Sequence, residues 1–246
     1  DDFGSSKNHR RRRSGLLTMK KFGREVLLQC VWNEGRYQVS LLWKVGTLEP
    51  EGNLDMAKRR LESLMRRFMK DEELKLEYHR IIEDYNKNVY IRKLNSEEEL
   101  ETGWWVPHFS VIRRDKETTK VRIVFDAAAM SRGMSLNDWI ETGPKLQRDI
   151  VDVLLRFRKH KIALVSNVTE MYLQVNVKIE DRRYFRFLWY ENGNIVSYEM
   201  GRIMFGLNAA PFLAQLVVQE GSQKMIEDYP RAVETIQNST YMDDNL

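Results

Sequence analysis

The sequence predicts an α+β fold in which a pair of helices comes first and antiparallel strands follow. Two amphipathic helical patterns lie between residues 53 and 85, and strand-like segments joined by polar turns begin at Trp104. The chain has 246 residues, of which 42% are hydrophobic and 11% aromatic, enough to fill the core of one large domain or two small ones. This composition argues against a disordered chain.

The charge distribution narrows the possible partners. The net charge is only +4, but Lys and Arg cluster at residues 7–13, 58–70, 113–122 and 156–161. Such clusters can bind phosphates through their local field, although a solvated charged face is an equally common explanation for each of them. The single Cys30 excludes a disulfide framework and a Cys-rich zinc site, which favours an intracellular setting. No apolar run approaches the ~18 residues of a membrane span, so no membrane partner is expected.

The first 103 residues divide into two segments. Residues 1–25 are polar and basic, contain Arg10 to Arg13, and are predicted to be a flexible arm. Residues 26–103 begin with two short predicted strands, Val26 to Val31 and Tyr37 to Trp43, around a turn at Asn33-Glu34-Gly35. A helical hairpin follows, with Asn53 and Asp71 as the expected N-caps. Its apolar positions are Leu54, Ala57, Leu61, Leu64 and Phe68 in the first helix, and Leu74, Tyr78, Ile81, Ile82 and Tyr85 in the second.

Residues 104–246 carry the strand-rich part. A hairpin is predicted from Val106 to Arg113 and Lys120 to Asp126, with Arg113, Arg114, Lys120 and Arg122 near its tip. These side chains could converge on phosphates, or they could simply protect the edge of the hairpin against aggregation. Gly143-Pro144 is expected to open the next helix, whose apolar face is Leu146, Ile150, Val153, Leu154 and Phe157. Ile162 to Val165 is then predicted as a buried strand.

Further along, Asn192-Gly193 predicts a tight turn between strands Tyr184 to Tyr190 and Asn194 to Met200. Small residues around Phe205-Gly206-Leu207 precede a helix that should run from about Pro211 to about Met225. The chain then reaches Tyr241-Met242-Asp243-Asp244. Adjacent carboxylates suit Mg²⁺, and a polar turn is the alternative interpretation of this tetrapeptide alone.

Several blocks taken together make the chain similar to a known family. The blocks are Gly35-Arg36-Tyr37 with Leu41-Leu42-Trp43-Lys44; Pro107-His108 with Val111-Ile112-Arg113; Thr118 to Ala127; Ser135-Leu136-Asn137-Asp138 with Thr142-Gly143-Pro144; Leu155 to Arg158; Met171 to Gln174; Phe205-Gly206-Leu207 with Ala210-Pro211-Phe212; and Tyr241 to Asp244. In this order they resemble the reverse transcriptase domain of BEL/Pao-type LTR retrotransposons. Several ordered blocks are far more specific than any single motif.

The resemblance implies a polymerase fingers and palm, in which an antiparallel palm sheet is backed by helices and follows the helical hairpin. Residues 104–246 would be this unit, cut off after the Tyr241 to Asp244 motif and lacking a thumb. The resemblance also implies two Mg²⁺ or Mn²⁺ ions held by Asp243, Asp244 and the backbone carbonyl of Val168. The implied nucleotide and nucleic-acid contacts are Lys120 and Arg122 at the triphosphate, Arg113 and Arg114 nearby, Tyr172 beneath the sugar, and Phe205, Gly206 and Pro211 in the pocket.

The implied activity is RNA-directed DNA synthesis, in which a primer 3′-hydroxyl attacks the α-phosphorus of a dNTP. The implied partners are a template with primer and the other parts of a retrotransposon polyprotein: protease, RNase H and integrase. Family analogy places such a protein in the cytoplasm. We also expect the hairpin at Tyr241 to Asp244 to lack its returning strand.

One position departs from the family pattern. The third metal-binding carboxylate would stand where this chain has Asn167, and an amide offers one neutral acceptor in its place. Glu170 has a longer arm and a different position, so it is not expected to substitute. The sequence therefore leaves two functions open. One is an impaired reverse transcriptase, and the other is a non-catalytic remnant that binds nucleic acid.

Overall fold

The first two helices follow from the apolar spacing of the sequence. In the computed structural model, which describes residues 30–46, 50, 52–112, 121–159 and 161–246, helix α1 (Leu54–Phe68) and helix α2 (Glu72–Lys87) are separated by three residues. Their buried side chains are Ala57, Leu61, Leu64 and Phe68 in α1, and Leu74, Tyr78, Ile82 and Tyr85 in α2. The predicted helical hairpin and its apolar faces are confirmed, although Leu54 and Ile81 are only partly buried.

The two expected N-caps behave differently. The Asp71 carboxylate accepts a hydrogen bond of 2.9 Å from the backbone N–H of Leu74, as a capping side chain should. Asn53 occupies the N-cap position of α1 but makes no capping bond. Its buried amide instead donates to the carbonyl of Trp105 and accepts from the N–H of Trp105, at 2.8 and 2.7 Å. The expected cap at Asn53 is therefore wrong, because the side chain ties α1 to the strand region.

The remaining elements alternate short strands with helices. They are β1 (Val31–Asn33), β2 (Arg36–Val39), β3 (Ile91–Lys93), β4 (His108–Ile112), β5 (Val121–Phe125), α3 (Leu136–Trp139), α4 (Ile150–Phe157), β6 (Ser166–Asn167), β7 (Asn176–Val177), α5 (Ile179–Arg182), β8 (Arg186–Glu191), β9 (Asn194–Met200), α6 (Ala210–Gln223), α7 (Pro230–Ser239), β10 (Thr240–Tyr241) and β11 (Asp244–Asn245). The protein is thus α+β, as predicted.

The described strands form four small sheets. Strands β3, β9 and β8 form an antiparallel sheet, and the turn predicted at Asn192-Gly193 joins β8 to β9. Strands β4 and β5 pair antiparallel, which confirms the predicted hairpin. In a third sheet, β1 pairs antiparallel with β2, which pairs in parallel with β7. The fourth sheet has the order β10, β11, β6 and is antiparallel throughout.

Three expectations about the second half of the chain are wrong. Gly143-Pro144 does not open a helix, since α4 begins at Ile150 with the Asp149 carboxylate accepting from Val151 N–H at 2.8 Å. Residues Ile162 to Val165 are neither a strand nor buried. The hairpin at Tyr241 does have a returning strand, the two-residue β11. Helix α7 was not predicted, because its apolar positions are few.

The core joins both halves of the chain. A cluster of aromatic rings surrounds His108 on β4, with Tyr78, Phe125, Phe187 and Trp189 as its neighbours. These residues come from α2, β5 and β8, so the helical hairpin packs on the strands. The predicted arm at residues 1–25 and the side chains of Arg113, Arg114 and Lys120 lie outside the described residues. Among the described helices, none combines the length and the apolar character needed to cross a membrane.

Candidate active site

The turn between β10 and β11 presents two adjacent carboxylates. Tyr241 and Asp244 pair across the turn, and Met242 within it adopts a left-handed conformation with φ of 57°. The side-chain amide of Gln215, on α6, donates to the carbonyl of Met242 at 2.8 Å. Asp243 and Asp244 are both exposed. The hydrogen bond from Gln215 therefore anchors the turn to α6, while the carboxylates of the turn are exposed to solvent.

The strand β6 brings Asn167 to this turn. Asn167 pairs with Asp244 in the antiparallel register of β6 and β11, and the N–H of Val168 donates to the carbonyl of Asp243 at 2.8 Å. The Asn167 side-chain nitrogen Nδ2 donates to Asp244 Oδ1 at 3.0 Å. Position 167 thus lies beside the carboxylate pair, and it presents an N–H group to Asp244 where a third carboxylate would present oxygen.

A cavity of about 610 Å³ opens next to the turn. Four residues singled out from the sequence line it together with Asn167, although they are distant along the chain: Arg122, Tyr172, Phe205 and Asp243. Arg122 projects from β5 and is exposed. Asp244 is not among the described residues that line this cavity. A cation, two aromatic rings and a carboxylate therefore share one concave surface.

Tyr172 forms the aromatic part of the cavity wall. It lies in a short 3₁₀ helix, Met171–Gln174, and its ring centroid is 4.7 Å from that of Phe205. Burial raises the pKa of the Tyr172 phenol, and the nearby Asp243 carboxylate raises it further. Tyr172 is therefore neutral at physiological pH and presents a largely apolar ring to the cavity.

Glu170 sets the start of this 3₁₀ helix. Its backbone has a φ of 51°, a left-handed conformation that few non-glycine residues adopt, and its carbonyl accepts the N–H groups of Leu173 and Gln174 at 2.7 and 3.2 Å. The carboxylate accepts a hydrogen bond of 2.9 Å from the Tyr90 hydroxyl. Glu170 lines the cavity, but its carboxylate is bound to Tyr90.

Phe205 and Gly206 are held against the end of β5. The N–H of Phe125 donates to the carbonyl of Phe205 at 3.1 Å, and Asn137 donates from its side chain to the carbonyl of Gly206 at 3.2 Å. Gly206 has a φ of +103°, and a Cβ at this position would lie 1.8 Å from the carbonyl oxygen of Phe125. Only glycine fits at this position, directly after the cavity residue Phe205.

Two residues predicted to lie in the pocket, Gly206 and Pro211, are not among the described residues that line the cavity. Pro211 lies in the first turn of α6, where a proline loses no helical hydrogen bond, and it is exposed. The arrangement gives Pro211 a structural role at the start of α6.

Helix α2 contributes cavity residues that the sequence did not single out. Arg80 and Asp84 line the cavity, and the guanidinium of Arg80 donates to the carboxylates of Asp84 and Glu77, each with a shortest distance of 2.7 Å. The 3- and 4-residue spacings could have predicted these ion pairs. No sequence signal places α2 beside the turn, because that contact depends on the tertiary fold.

The donor set can be compared with the needs of a divalent cation. Asp243 and Asp244 provide carboxylate oxygens, the ligands that Mg²⁺ and Mn²⁺ prefer. No cluster of three or more His, Cys, Asp or Glu side chains suited to a metal occurs in the described part of the chain. The two carboxylates therefore fit a hard cation in ligand type, and the neighbouring Asn167 side chain adds only a neutral amide.

Comparison with known proteins adds no assignment. No protein-family model matches the chain, and no curated protein is significantly similar to it.

Proposed function

We propose that this chain is a reverse transcriptase domain of the BEL/Pao type, whose nucleotidyl transfer is impaired by Asn167. The observation that carries the proposal is the pairing of Asn167 with Asp244 beside the cavity. The motif order suggests these two positions as metal-binding partners, and they lie 77 residues apart in the sequence. Their contact across β6 and β11 supports the assignment independently of the motif order.

The cavity residues suit an incoming dNTP. Arg122 would contact the triphosphate, since a guanidinium binds phosphate oxygens through paired N–H donors. Tyr172 and Phe205 would contact the sugar and base with their rings, and Tyr172 would exclude a 2′-hydroxyl by steric overlap. The reaction would join the primer 3′-oxygen to the α-phosphorus and release pyrophosphate.

Asp243, Asp244 and the carbonyl of Val168 would hold the divalent ions. Bound ions would lower the pKa of the primer hydroxyl and neutralise the leaving pyrophosphate. With Asn167, only two carboxylates would offset the positive charge of the bound ions. Loss of a group that only orients a ligand typically costs about 10- to 100-fold, and loss of a ligand should cost more. The chain is therefore expected to extend a primer slowly.

Primer extension with the Asn167→Asp variant tests this proposal. The assay uses an RNA template with a DNA primer, all four dNTPs, and Mg²⁺ or Mn²⁺. Restoring the carboxylate should raise the extension rate more than about 100-fold. Asn194→Asp, an exposed change in the β8–β9 hairpin, adds the same charge away from the turn and should leave the rate unchanged. Asn167→Asp combined with Asp243→Asn should return the rate to background.

If Asn167→Asp binds primer and template, keeps the fold by circular dichroism, and still fails to extend the primer, the polymerase assignment fails.

A second function, non-catalytic binding of nucleic acid, is favoured by one contact. The hydrogen bond from Asn167 to Asp244 joins β6 to the turn through two side chains. This hydrogen bond would stabilise the conformation of the turn, and the chain would bind nucleic acid without catalysing a reaction. Salt-dependent binding of primer and template, with no extension by the wild-type chain in Mn²⁺, would support this function.

A further inference from the structure

Arg202 is a buried cation with no carboxylate partner in the described part of the chain. The residue is only 8% exposed, and its Nε atom is buried without a hydrogen-bond partner among the described residues. Its Nη2 atom reaches the carbonyl oxygen of Val89 at 3.5 Å, the outer limit of a hydrogen bond. The guanidinium carbon lies 5.4 Å from the ring centroid of Tyr90. Because a buried charge is costly unless it is paired, Arg202 is a candidate for binding an anion.

The groups around Arg202 add positive charge. Burial lowers the pKa of Arg202 to about 10, and the guanidiniums of Arg36 and Arg182 also lower it, while Tyr90 opposes them. No carboxylate is among the described groups that shift this pKa. Arg36 donates one hydrogen bond to the side-chain carbonyl of Gln174, which is neutral. Three guanidiniums therefore act on one another without a carboxylate that offsets the charge of Arg202.

The acidic side chains near this cluster are engaged elsewhere. Three of their carboxylates accept hydrogen bonds from other groups: Glu170 from Tyr90 at 2.9 Å, Asp181 from Leu41 and Trp43 at 2.7 and 2.8 Å, and Glu199 from Arg92 at 3.0 Å. A fourth acid, Glu180, is exposed and lines a separate cavity with Arg183 and Arg186. None of the four forms an ion pair with Arg36, Arg182 or Arg202 within the described residues.

The backbone pairing brings Arg36 and Arg202 to the same face of three adjacent segments. Gln38 on β2 lies opposite Asn176 on β7, and Asn176 forms an antiparallel bridge with Arg202. Paired residues share a face of a sheet, and so do residues two apart in a strand, which places Arg36 with them. The side chains of Gln38 and Asn176 are half-buried and make no hydrogen bond within the described part of the chain. Two guanidiniums and two amides are therefore available on this face.

Arg182 contributes charge from the other side of the same backbone. Its Nε atom donates to the carbonyl of Val177 at 2.8 Å, and its guanidinium carbon lies 3.7 Å from an ideal Cβ at Gly201. Since Gly201 precedes Arg202, their side-chain directions are opposite. Arg182 therefore strengthens the positive field without being expected to contact the ligand.

The donors suit a phosphate group that carries two negative charges. A guanidinium presents paired N–H donors that match phosphate oxygens, and the amide NH₂ groups add further donors. A phosphate monoester has a charge of about −2 at pH 7, which equals the charge of Arg36 and Arg202 together. A phosphate within a nucleic acid strand carries a single negative charge and is flanked by sugars on both sides. The burial of Arg202 thus favours a phosphate at the end of a small molecule.

We propose that Arg202 and Arg36, with the amides of Gln38 and Asn176, bind inorganic phosphate or the terminal phosphate of a small monoester. None of these four residues is among the described residues that line the cavity beside Asp243. The site is therefore separate from the candidate active site, and the proposal does not depend on the polymerase assignment.

Isothermal titration calorimetry with sodium phosphate at pH 7.5 and fixed ionic strength tests the proposal. Arg202→Met should weaken phosphate binding by about 10- to 150-fold, the loss expected for a hydrogen bond between charged groups. Arg202→Lys should recover part of the affinity, because it keeps the charge and loses the paired donors. Arg59→Met removes an exposed arginine of α1 and is the matched control, with no change expected.

Thermal unfolding supplies a second readout. Without phosphate, Arg202→Met should be at least as stable as wild type, since an apolar side chain replaces a buried unpaired charge. Phosphate should raise the Tm of wild type and of Arg59→Met, and it should leave that of Arg202→Met unchanged. If Arg202→Met does not fold, Arg36→Met at the half-buried edge of the site takes its place and should also weaken phosphate binding.

Titrations with glycerol 3-phosphate and with dT₁₂ lacking a terminal phosphate distinguish the sources of the phosphate. Equal affinity for glycerol 3-phosphate and inorganic phosphate would support a monoester ligand, and binding of inorganic phosphate alone would support the free ion. Displacement of phosphate by dT₁₂ would overturn the proposal in favour of a nucleic acid strand.

The site proposal and the polymerase assignment fail separately. Absence of phosphate binding by wild type, or unchanged phosphate affinity in a folded Arg202→Met variant, would overturn the site proposal. Failure of Asn167→Asp to extend a primer would leave it standing, because phosphate binding is measured without catalysis.

Discussion

The two sides of the Asp243 turn differ in how completely they are packed. On the cavity side, β4, β5, β8 and α2 enclose His108 among aromatic rings. On the other side, apolar side chains of α4 and of the segment before β6 face solvent, with Ile162 80% and Leu164 81% exposed. Only Val153 of α4 is buried. One wall of the site is thus part of the core, and the other is not.

This difference bears on how the site is held. On the cavity wall, the ring of Tyr172 packs on that of Phe205, and the Phe205 carbonyl accepts a hydrogen bond from Phe125 on β5. Asn167 lies on a strand of two residues, and only two residue pairs join that strand to β11. The carboxylate turn is therefore the part of the site whose stability depends most on local hydrogen bonds.

The largest effect is expected on the packed side, at Gly206. Gly206→Ala forces a Cβ into the carbonyl of Phe125 and places alanine at a φ of +103°. The free energy of unfolding should fall by at least about 3 kcal/mol, measured by urea denaturation. Gly193→Ala is the matched control. It shares a positive φ of +85° but has no atom within 4 Å of its Cβ, so it should cost only about 1 kcal/mol.

Equal losses of stability in the two glycine variants would show that Phe205 and Gly206 do not lie against β5. The packed side would then be less constrained than the comparison requires.

The next effect concerns pH and His108. Its Nε2–H donates to the carbonyl of Leu188 at 2.8 Å, and its Nδ1 accepts from the Tyr78 hydroxyl, so the buried ring is neutral. Burial lowers the pKa of His108 from 6.5 to about 4. The unfolded chain therefore binds a proton more readily, and stability is lost as pH falls from about 6.5 towards about 4. The loss should reach about 3 kcal/mol.

Urea denaturation at pH 7.5, 5.5 and 4.5 measures this dependence. His108→Gln removes the titrating ring and should flatten the curve in this window relative to wild type. An unchanged pH dependence in His108→Gln would place the proton uptake at other groups and would weaken the account of a closed aromatic core.

The smallest effect is expected on the exposed side. Ile162→Ala should change the free energy of unfolding by less than about 0.5 kcal/mol, because its side chain already faces water. Ile123→Ala on β5, where the side chain is only 2% exposed, should cost about 2 to 5 kcal/mol. A loss of more than 1 kcal/mol at Ile162 would mean that this segment is buried in solution, and the contrast between the two sides would disappear.

Local sequence patterns predicted the helical hairpin and the turn between β8 and β9 correctly. The three- and four-residue spacing in residues 54–85 gave α1 and α2 with their buried faces, because helix periodicity is a local property. The Asn192-Gly193 turn between β8 and β9 was predicted for a similar reason, since its backbone conformation depends on the two turn residues alone.

The errors arose where tertiary contacts override local preference. Asn53 has the side chain of a good cap, but a backbone partner at Trp105 satisfies both its donor and its acceptor. Residues Ile162 to Val165 have the composition of a buried strand. Composition alone does not show which element would pack on them, and in the structure they are exposed. Gly143 has a left-handed φ of +77° and packs closely on Phe212, so it belongs to a connection and not to a helix start.

The candidate site was predicted only in part. Arg122, Tyr172, Phe205 and Asp243 do share one cavity, although their convergence was expected from the resemblance and not from spacing along the chain. Arg80 was missed, because its ion pairs with Glu77 and Asp84 look like ordinary helix surface contacts. The predicted roles of Arg113, Arg114 and Lys120 remain predictions.

Mn²⁺ binding at the carboxylate turn tests the central claim most directly. The claim is that Asn167 stands where a metal-binding carboxylate is needed. Electron paramagnetic resonance titration of Mn²⁺ should show weak binding by the wild-type chain and binding at least about 10-fold tighter by Asn167→Asp. Asn194→Asp should bind like wild type, and Asp243→Asn should abolish the gain. Equal Mn²⁺ affinity in wild type and Asn167→Asp would contradict the claim.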